Sequence, residues 1–259
     1  MTLIMKSEIL NIYKPLGLSP LEAINRFLGQ NEAYKGLKMT YAGRLDPMAE
    51  GVLLALTGEA VHKKDEYLKL EKEYEGEILF GIETDTYDIL GIPAQKYKLK
   101  IPNNKIKEGI KKFHGKISLP LPPYSSYKIK GKPLFVWARE GKLNEIEIPA
   151  RKTEIYDIKL IKTSDIDSKN LHKIIRGRID KVFGDFRQNE IKDKWGKILK
   201  NKNPEKFQIA KIKFSVSSGT YIRSIAHELG KRLGGGAILY SLVRTRVGEY
   251  EAKDSIRLS

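Results

Sequence analysis

Residues 43–53 read Gly43-Arg44-Leu45-Asp46-Pro47-Met48-Ala49-Glu50-Gly51-Val52-Leu53, and the apolar run continues to Leu56 before Thr57-Gly58 closes it. Val52–Leu56 has the length and the bounds of a fully buried strand. The residues before it, 38–51, show neither a helical nor a strand period and read as a loop. In that loop, bracketed by Gly43 and Gly51, Asp46 stands directly before a proline. Asp-Pro is commonly a plain turn starter. A long loop feeding a core strand is also a usual place for a reactive side chain, so both readings stay open.

Working outward, Ser19-Pro20-Leu21-Glu22 is a capping box, with Ser19 as N-cap, Pro20 at N1 and Glu22 at N3. It opens a helix whose stripe is Leu21, Ile24, Phe27 and Leu28, ending at Gly29. From Tyr74 to Phe80 the period becomes two, with Tyr74, Gly76, Ile78 and Phe80 on one face and Glu73, Glu75 and Glu77 on the other. A core role is the simplest account of Tyr74. Ile106, Ile110 and Phe113 predict a short amphipathic helix. The prolines of residues 119–123 predict irregular structure, since each removes an amide donor. Strands are expected near Ile155–Ile161 and at Phe207–Val216, and a helix over Tyr221–Leu233. Strands and helices mix without a βαβ rhythm, which predicts an α+β fold with a central, mixed and mostly antiparallel sheet flanked by helices.

The chain has 259 residues, 41% of them hydrophobic and 31% charged, a globular composition. Folding should bury about 70–75% of the unfolded surface, enough for one large domain over 1–259 rather than a string of modules. There is no Cys, so disulfides, thiolate metal sites and cysteine nucleophiles are excluded, and the four His are scattered without ligand spacing. No stretch approaches the ~20 apolar residues of a membrane span, and the first twenty residues lack a signal-peptide core, so a cytoplasmic protein is expected. A formal charge of +16 suits a polyanionic partner such as nucleic acid; a lysine-rich proteome or plain solubility would also produce it. Residues 165–206 stand apart, with 12 Lys and Arg against 7 Asp and Glu, and read as a helical or partly mobile basic insertion between two strands.

Arg223 lies in the first turn of the helix that follows Ser218-Gly219-Thr220. A cation at that end opposes the helix dipole unless an anion faces it. Its neighbours Ile222 and Ile225 belong to the core, so the guanidinium either pairs with a carboxylate or phosphate or snorkels to water.

Taken together, these features resemble the TruB family of bacterial tRNA pseudouridine-55 synthases. Residues 43–53 with Gly58-Glu59-Ala60 resemble its GxLDPxAxGVL…GEAT signature. Tyr13-Lys14-Pro15-Leu16-Gly17 resembles its DKPxGxS opening, Lys72-Glu73-Tyr74 its K-x-Y strand, and Thr84–Asp88 with Gly91 its TDTxDxxG loop. Residues 122–128 with Ala138-Arg139-Glu140-Gly141 resemble PPxxSAxK…AREG. Ser218–Arg223 resembles GTYIR, and Leu242 with Arg244-Thr245 resembles the LRRT end. The matches run in order over about residues 10–248.

The resemblance implies a pseudouridine-synthase fold and isomerisation of uridine to pseudouridine in the T-loop (position 55) of tRNA, with a flipped-out base and no metal or other cofactor. It places the catalytic aspartate on Asp46, the active-site tyrosine on Tyr74 and the partner arginine on Arg223. Substrate contacts fall on Lys14, Tyr41, Arg44, Asp88, Tyr221 and Leu242, with Lys14 and the basic surface holding phosphates. The expected partner is the T-arm of tRNA, bound by a monomer with no obligatory protein partner. Two other readings stay open, a non-catalytic RNA binder or tRNA folding chaperone and a synthase for a different uridine. The chain departs from the pattern in four ways. Tyr41 replaces a histidine, Val243 replaces the first arginine of LRRT, the insertion 165–206 is longer than expected, and the sequence stops before a C-terminal PUA domain. In place of that domain the insertion is expected to contact RNA through Lys173, Arg176, Arg178 and Lys181, a solvated insertion without a role being the alternative.

Overall fold

The computed structural model describes residues 7–97, 100–200 and 205–258. From the N-terminus, β1 (Glu8–Lys14) leads to α1 (Pro20–Gln30), β2 (Met39–Ala42), β3 (Ala49–Thr57), α2 (Lys64–Lys69) and β4 (Lys72–Phe80). A small pair, β5 (Ile82–Thr84) and β6 (Pro93–Lys96), precedes α3 (Asn103–Lys111) and β7 (Gly115–Pro120). Another, β8 (Lys128–Ile129) with β9 (Lys132–Pro133), precedes α4 (Leu134–Arg139) and the long β10 (Ala150–Asp167). Helices α5 (Ser168–Ile179) and α6 (Gln188–Lys200) separate β10 from β11 (Lys206–Val216). Then come α7 (Ile222–Arg232), β12 (Ala237–Val247), β13 (Tyr250–Glu251) and β14 (Ile256–Arg257).

The main sheet runs β14-β1-β3-β12-β4-β11-β10-β7, with β2 added to β3 and β13 to β12. The β1/β14 and β3/β12 pairs are parallel and the others antiparallel. This is the mixed, mostly antiparallel sheet that the absence of a βαβ rhythm predicted.

Alternation along β4, β11 and β12 divides the core in two. Ile78, Phe80, Ile212, Phe214 and Leu239 face α3 and α7, where Ile106, Ile110, Ile225 and Leu229 cover them. Leu79, Ile209, Ile238 and Tyr240 face the other way and meet Leu171, Ile175, Ile191 and Trp195 of α5 and α6. The basic segment is therefore an αα-hairpin that covers the second face of the sheet, not a solvated appendage. Its residues 201–204 lie outside the described residues.

Three local expectations need correction. Residues 38–51 are not one loop, because Met39–Ala42 folds back to pair with Ala55, Leu54, Leu56 and Thr57, and β3 already starts at Ala49. A four-residue strand of half-buried side chains shows no alternation to read. Leu119 and Pro120 complete β7, which a proline tolerates because β7 is the sheet's outer strand. Strand β10 runs far beyond Ile155–Ile161, since its ends pair with β7 and with β11 beyond the apolar stretch. The α1 capping box forms as expected. The Ser19 hydroxyl accepts from the Glu22 amide at 3.3 Å, and the Ser19 amide donates to the Glu22 carboxylate at 2.6 Å.

Candidate active site

Asp46 sits in the connection between β2 and β3, on a backbone fixed from three sides. The Gly17 amide donates to the Pro47 carbonyl at 2.8 Å, and the Ala49 amide donates to the carbonyl of Asp46 itself at 3.0 Å. Behind the turn lies Arg244, 1% exposed. It donates from Nε to the Val52 carbonyl at 2.7 Å and from its terminal nitrogens to the carbonyls of Arg44 (3.1 Å) and Gly43 (3.2 Å). Gly51 lets β12 come this close. Its φ is +108°, and a Cβ there would lie 2.2 Å from the Arg244 carbonyl oxygen.

Opposite Asp46, the first turn of α7 presents Arg223, whose side chain is 6% exposed while that of Asp46 is 41% exposed. Arg223 Nε lies 2.8 Å from Asp46 Oδ2 and 3.7 Å from Asp88 Oδ2. One terminal nitrogen donates to the Thr86 carbonyl at 2.9 Å, and both approach the Tyr124 carbonyl at 3.4–3.5 Å. Asp88 is held in turn, its Oδ1 accepting from the Thr86 hydroxyl at 2.8 Å and the Leu90 amide at 2.9 Å. Burial pushes the Asp88 carboxyl up to about 6, with Arg223 opposing and Asp46 reinforcing that shift. The ion pair thus has an open end, the Asp46 carboxylate, and a closed end built of carbonyls and Asp88. A carboxylate so oriented and left half-open can act as a nucleophile.

Asp46, Asp88 and Arg223 line a cavity of about 310 Å³ together with Arg44, Leu45, Thr86, Tyr124, Phe135 and Arg139. A family model described as "TruB family pseudouridylate synthase (N terminal domain)" matches residues 31–176, more than half of the chain. The chain belongs to the TruB family.

Its relatives include a tRNA pseudouridine synthase B of Clostridium acetobutylicum, 32% identical over 96% of this chain and 70% of that protein. The enzyme of the same name from Aquifex aeolicus is 28% identical over 95% of this chain and 70% of that protein. In fold the chain is similar to a solved chain described as "Crystal Structure of a Cbf5-Nop10-Gar1 Complex", with a TM-score of 0.57 and 21% identity. The match covers 96% of this chain and 52% of that one, so this chain spans about half its length.

Within this TruB-family site, Asp46, Arg44, Asp88 and Arg223 all reach the cavity. Tyr74 and Leu242 are not among its lining residues and are buried in the core cluster that also holds Leu45. Tyr221 caps the N-terminus of α7, and burial and the Asp46 charge raise its phenol above the usual value. Two residues stand elsewhere. Tyr41 packs on the α1 side of β3 against the Leu18, Ala23 and Leu53 cluster, with Lys64 5.5 Å from its ring centroid. Lys14 is fully buried, donating to the carbonyls of Pro15 (2.9 Å) and Leu18 (2.7 Å). Burial lowers its ammonium to about 7, with the Asp46 charge opposing. An ammonium so enclosed holds the turn after β1 and does not reach a phosphate at the surface.

Arg178, expected at the RNA surface, is likewise occupied. It donates to the Tyr240 carbonyl at 3.1 Å, lies over the Tyr240 ring and stands 3.9 Å from Glu50. Lys173, Arg176 and Lys181 are exposed. Sequence reasoning gave no role to Arg244, Tyr124 or Arg139, and missed Phe186 and Arg187, which also line the cavity. Arg244 had a signal, an arginine two residues after buried Leu242 on a core strand. Tyr124 and Arg139 lay in quoted motifs, but no spacing links them to Asp46.

Proposed function

We propose that this TruB-family chain converts the T-loop uridine at position 55 of tRNA to pseudouridine, with Asp46 as nucleophile. Its family and relatives make it an enzyme that isomerises uridine to pseudouridine in tRNA. The position in the tRNA and the role of each side chain are our reading. The observation that carries it is the Asp46–Arg223 pair, with a buried guanidinium 2.8 Å from a carboxylate that opens into the cavity.

In this reading the target nucleotide leaves its stack, at a cost of a few kcal/mol, and enters the cavity beside Asp46. Leu45 in the cavity wall, backed in the core by Tyr74 and Leu242, is the apolar surface for the uracil; a base that reaches an aromatic face recovers ~1–3 kcal/mol by stacking. Asp46 attacks either the sugar C1′ or the base C6. The C1′–N1 bond breaks, the base turns, a C1′–C5 bond forms and the C5 proton is removed while N1 gains one. Atoms and electrons balance within the nucleotide, so no co-reactant is consumed. Arg223 keeps Asp46 oriented, and in this reading Tyr74 assists the proton transfer. Arg44 and the excess positive charge draw the T-arm by its phosphates, which makes affinity salt-dependent. We take the chain to act as one catalytic domain, a monomer in the cytoplasm without an obligatory protein partner.

The test is to map pseudouridine on a tRNA transcript and on the same transcript with uridine 55 replaced by cytidine. Product confined to position 55 of the first RNA is expected. Product at another uridine would overturn the assigned position, and tight binding without product would move the chain to the RNA-binding class.

A further inference from the structure

The turn between α5 and α6 brings a fourth arginine into the cavity from a direction that no motif foretells. Gly17, with φ +95°, lies so close to it that a Cβ would stand 2.0 Å from the Lys181 carbonyl oxygen, and the Phe183 amide donates to the Gly17 carbonyl at 3.0 Å. Arg139 donates to the Asp185 carbonyl at 2.9 Å, and the Phe186 amide donates to the Gln188 side chain at 2.8 Å. The turn is thereby docked on the rim of the site, with Phe186 and Arg187 in the cavity wall.

Arg187 is placed there at a cost. Its φ is +61°, a left-handed conformation disfavoured for a side chain of this size. It also precedes the first turn of α6, where the helix dipole disfavours a cation. Among the described residues its one ion pair is with Asp85 (3.0 Å), and its guanidinium lies 4.5 Å from the Tyr124 ring centroid. A guanidinium has five donors, so this leaves a fork for a second anion. The cavity lining carries four arginines, Arg44, Arg139, Arg187 and Arg223, against two aspartates, Asp46 and Asp88. That excess suits a phosphodiester.

We propose that Arg187 is a substrate-binding residue, its guanidinium taking a phosphate of the RNA strand at the target nucleotide. The hairpin then has two faces of use, one closing the core and one supplying a wall of the active site. This rests on the reading of the cavity as the place where a uridine in RNA reacts.

The experiment measures binding of a T-arm stem-loop RNA between 50 and 200 mM salt, with single-turnover rates at saturating RNA, for four proteins: wild type, Arg187→Ala, Arg187→Lys and Asp85→Asn. Arg187→Ala is expected to weaken binding on the order of tenfold and to flatten the slope of log K against log salt by about 0.7–0.9, one phosphate contact. The loss falls on binding and not on the saturated rate. Arg187→Lys restores the slope, because it restores the charge. Asp85→Asn, which frees the guanidinium, binds as tightly as wild type or more so. Unchanged affinity and slope in Arg187→Ala would overturn the proposal. So would Asp85→Asn matching the loss of Arg187→Ala, which would make the pair a structural clamp. A wild type that makes no pseudouridine refutes the functional reading instead, so the two failures are distinct.

Discussion

Trp195 on α6 connects the basic hairpin to the loop that carries Asp88, and its replacement shows how much of the site depends on that hairpin. The side chain is fully buried, and its indole nitrogen donates to the carbonyls of Ile89 (3.1 Å) and Gly91 (3.2 Å), on the loop that carries Asp88. Trp195→Ala removes a buried aromatic, which costs about 3–5 kcal/mol through lost transfer energy and the cavity left behind. Two buried carbonyls also lose their donor, adding ~1 kcal/mol or more. The expected loss is therefore about 4–6 kcal/mol. With a urea m-value of roughly 3 kcal/mol/M, the midpoint falls by about 1.3–2 M. Trp195→Phe keeps most of the volume and should lose roughly half as much. Urea unfolding followed by circular dichroism measures both. Activity of the folded fraction should also fall, because Asp88 shares Arg223 with Asp46. A midpoint shift below about 0.3 M in Trp195→Ala would refute the view that the hairpin is part of the core.

Arg244→Met leaves the carbonyls of Gly43, Arg44 and Val52 without their donor; it should cost roughly 2–4 kcal/mol in unfolding, with a loss of single-turnover rate at saturating RNA. Arg223→Lys replaces a fork that holds two carboxylates and two carbonyls by a point charge, and the single-turnover rate should drop on the order of a hundredfold, with the fold intact by circular dichroism. The Asp88 carboxyl, raised from its usual 3.8 to about 6, sets a pH dependence. Below about 6 it protonates and loosens Arg223, so the rate–pH profile should show an acid limb near 6 that Asp88→Asn lacks. For stability the sign is opposite. The folded state takes up the proton more readily than the unfolded chain between pH 3.8 and about 6, so the Asp88 contribution is full below that window and is lost as pH rises through it. Unfolding of Asp88→Asn across the window should lack that decline.

How much of this was legible depends on whether a contact is local. The α1 cap, the β4 alternation and α7 are written in neighbouring residues, and the structure follows them. The motifs around Asp46, Asp88 and Arg223 also located three residues that the fold brings to one cavity, although Asp46 and Arg223 are far apart in sequence. Contacts that depend on the facing surface were not legible. Lys14 looked like a surface cation because nothing in residues 13–17 shows that Pro15 and Leu18 wrap their carbonyls around it. The insertion read as a basic, RNA-facing segment because its charges dominate the composition. Its apolar residues Leu171, Ile175, Ile191 and Trp195 gain meaning only from Leu79, Ile209 and Ile238 on the far face of the sheet. Arg187 was hidden for the same reason, since only the docking of the hairpin turn on Gly17 points it into the cavity.

The central claim is that the half-open carboxylate of Asp46 performs the chemistry, and Asp46→Asn tests it most directly. The substitution keeps the shape and an acceptor oxygen while removing the charge. Single-turnover formation of pseudouridine should fall below detection in Asp46→Asn, with T-arm RNA still bound within a few-fold of wild type. Asp46→Asn that makes pseudouridine at a rate within tenfold of wild type would contradict the account.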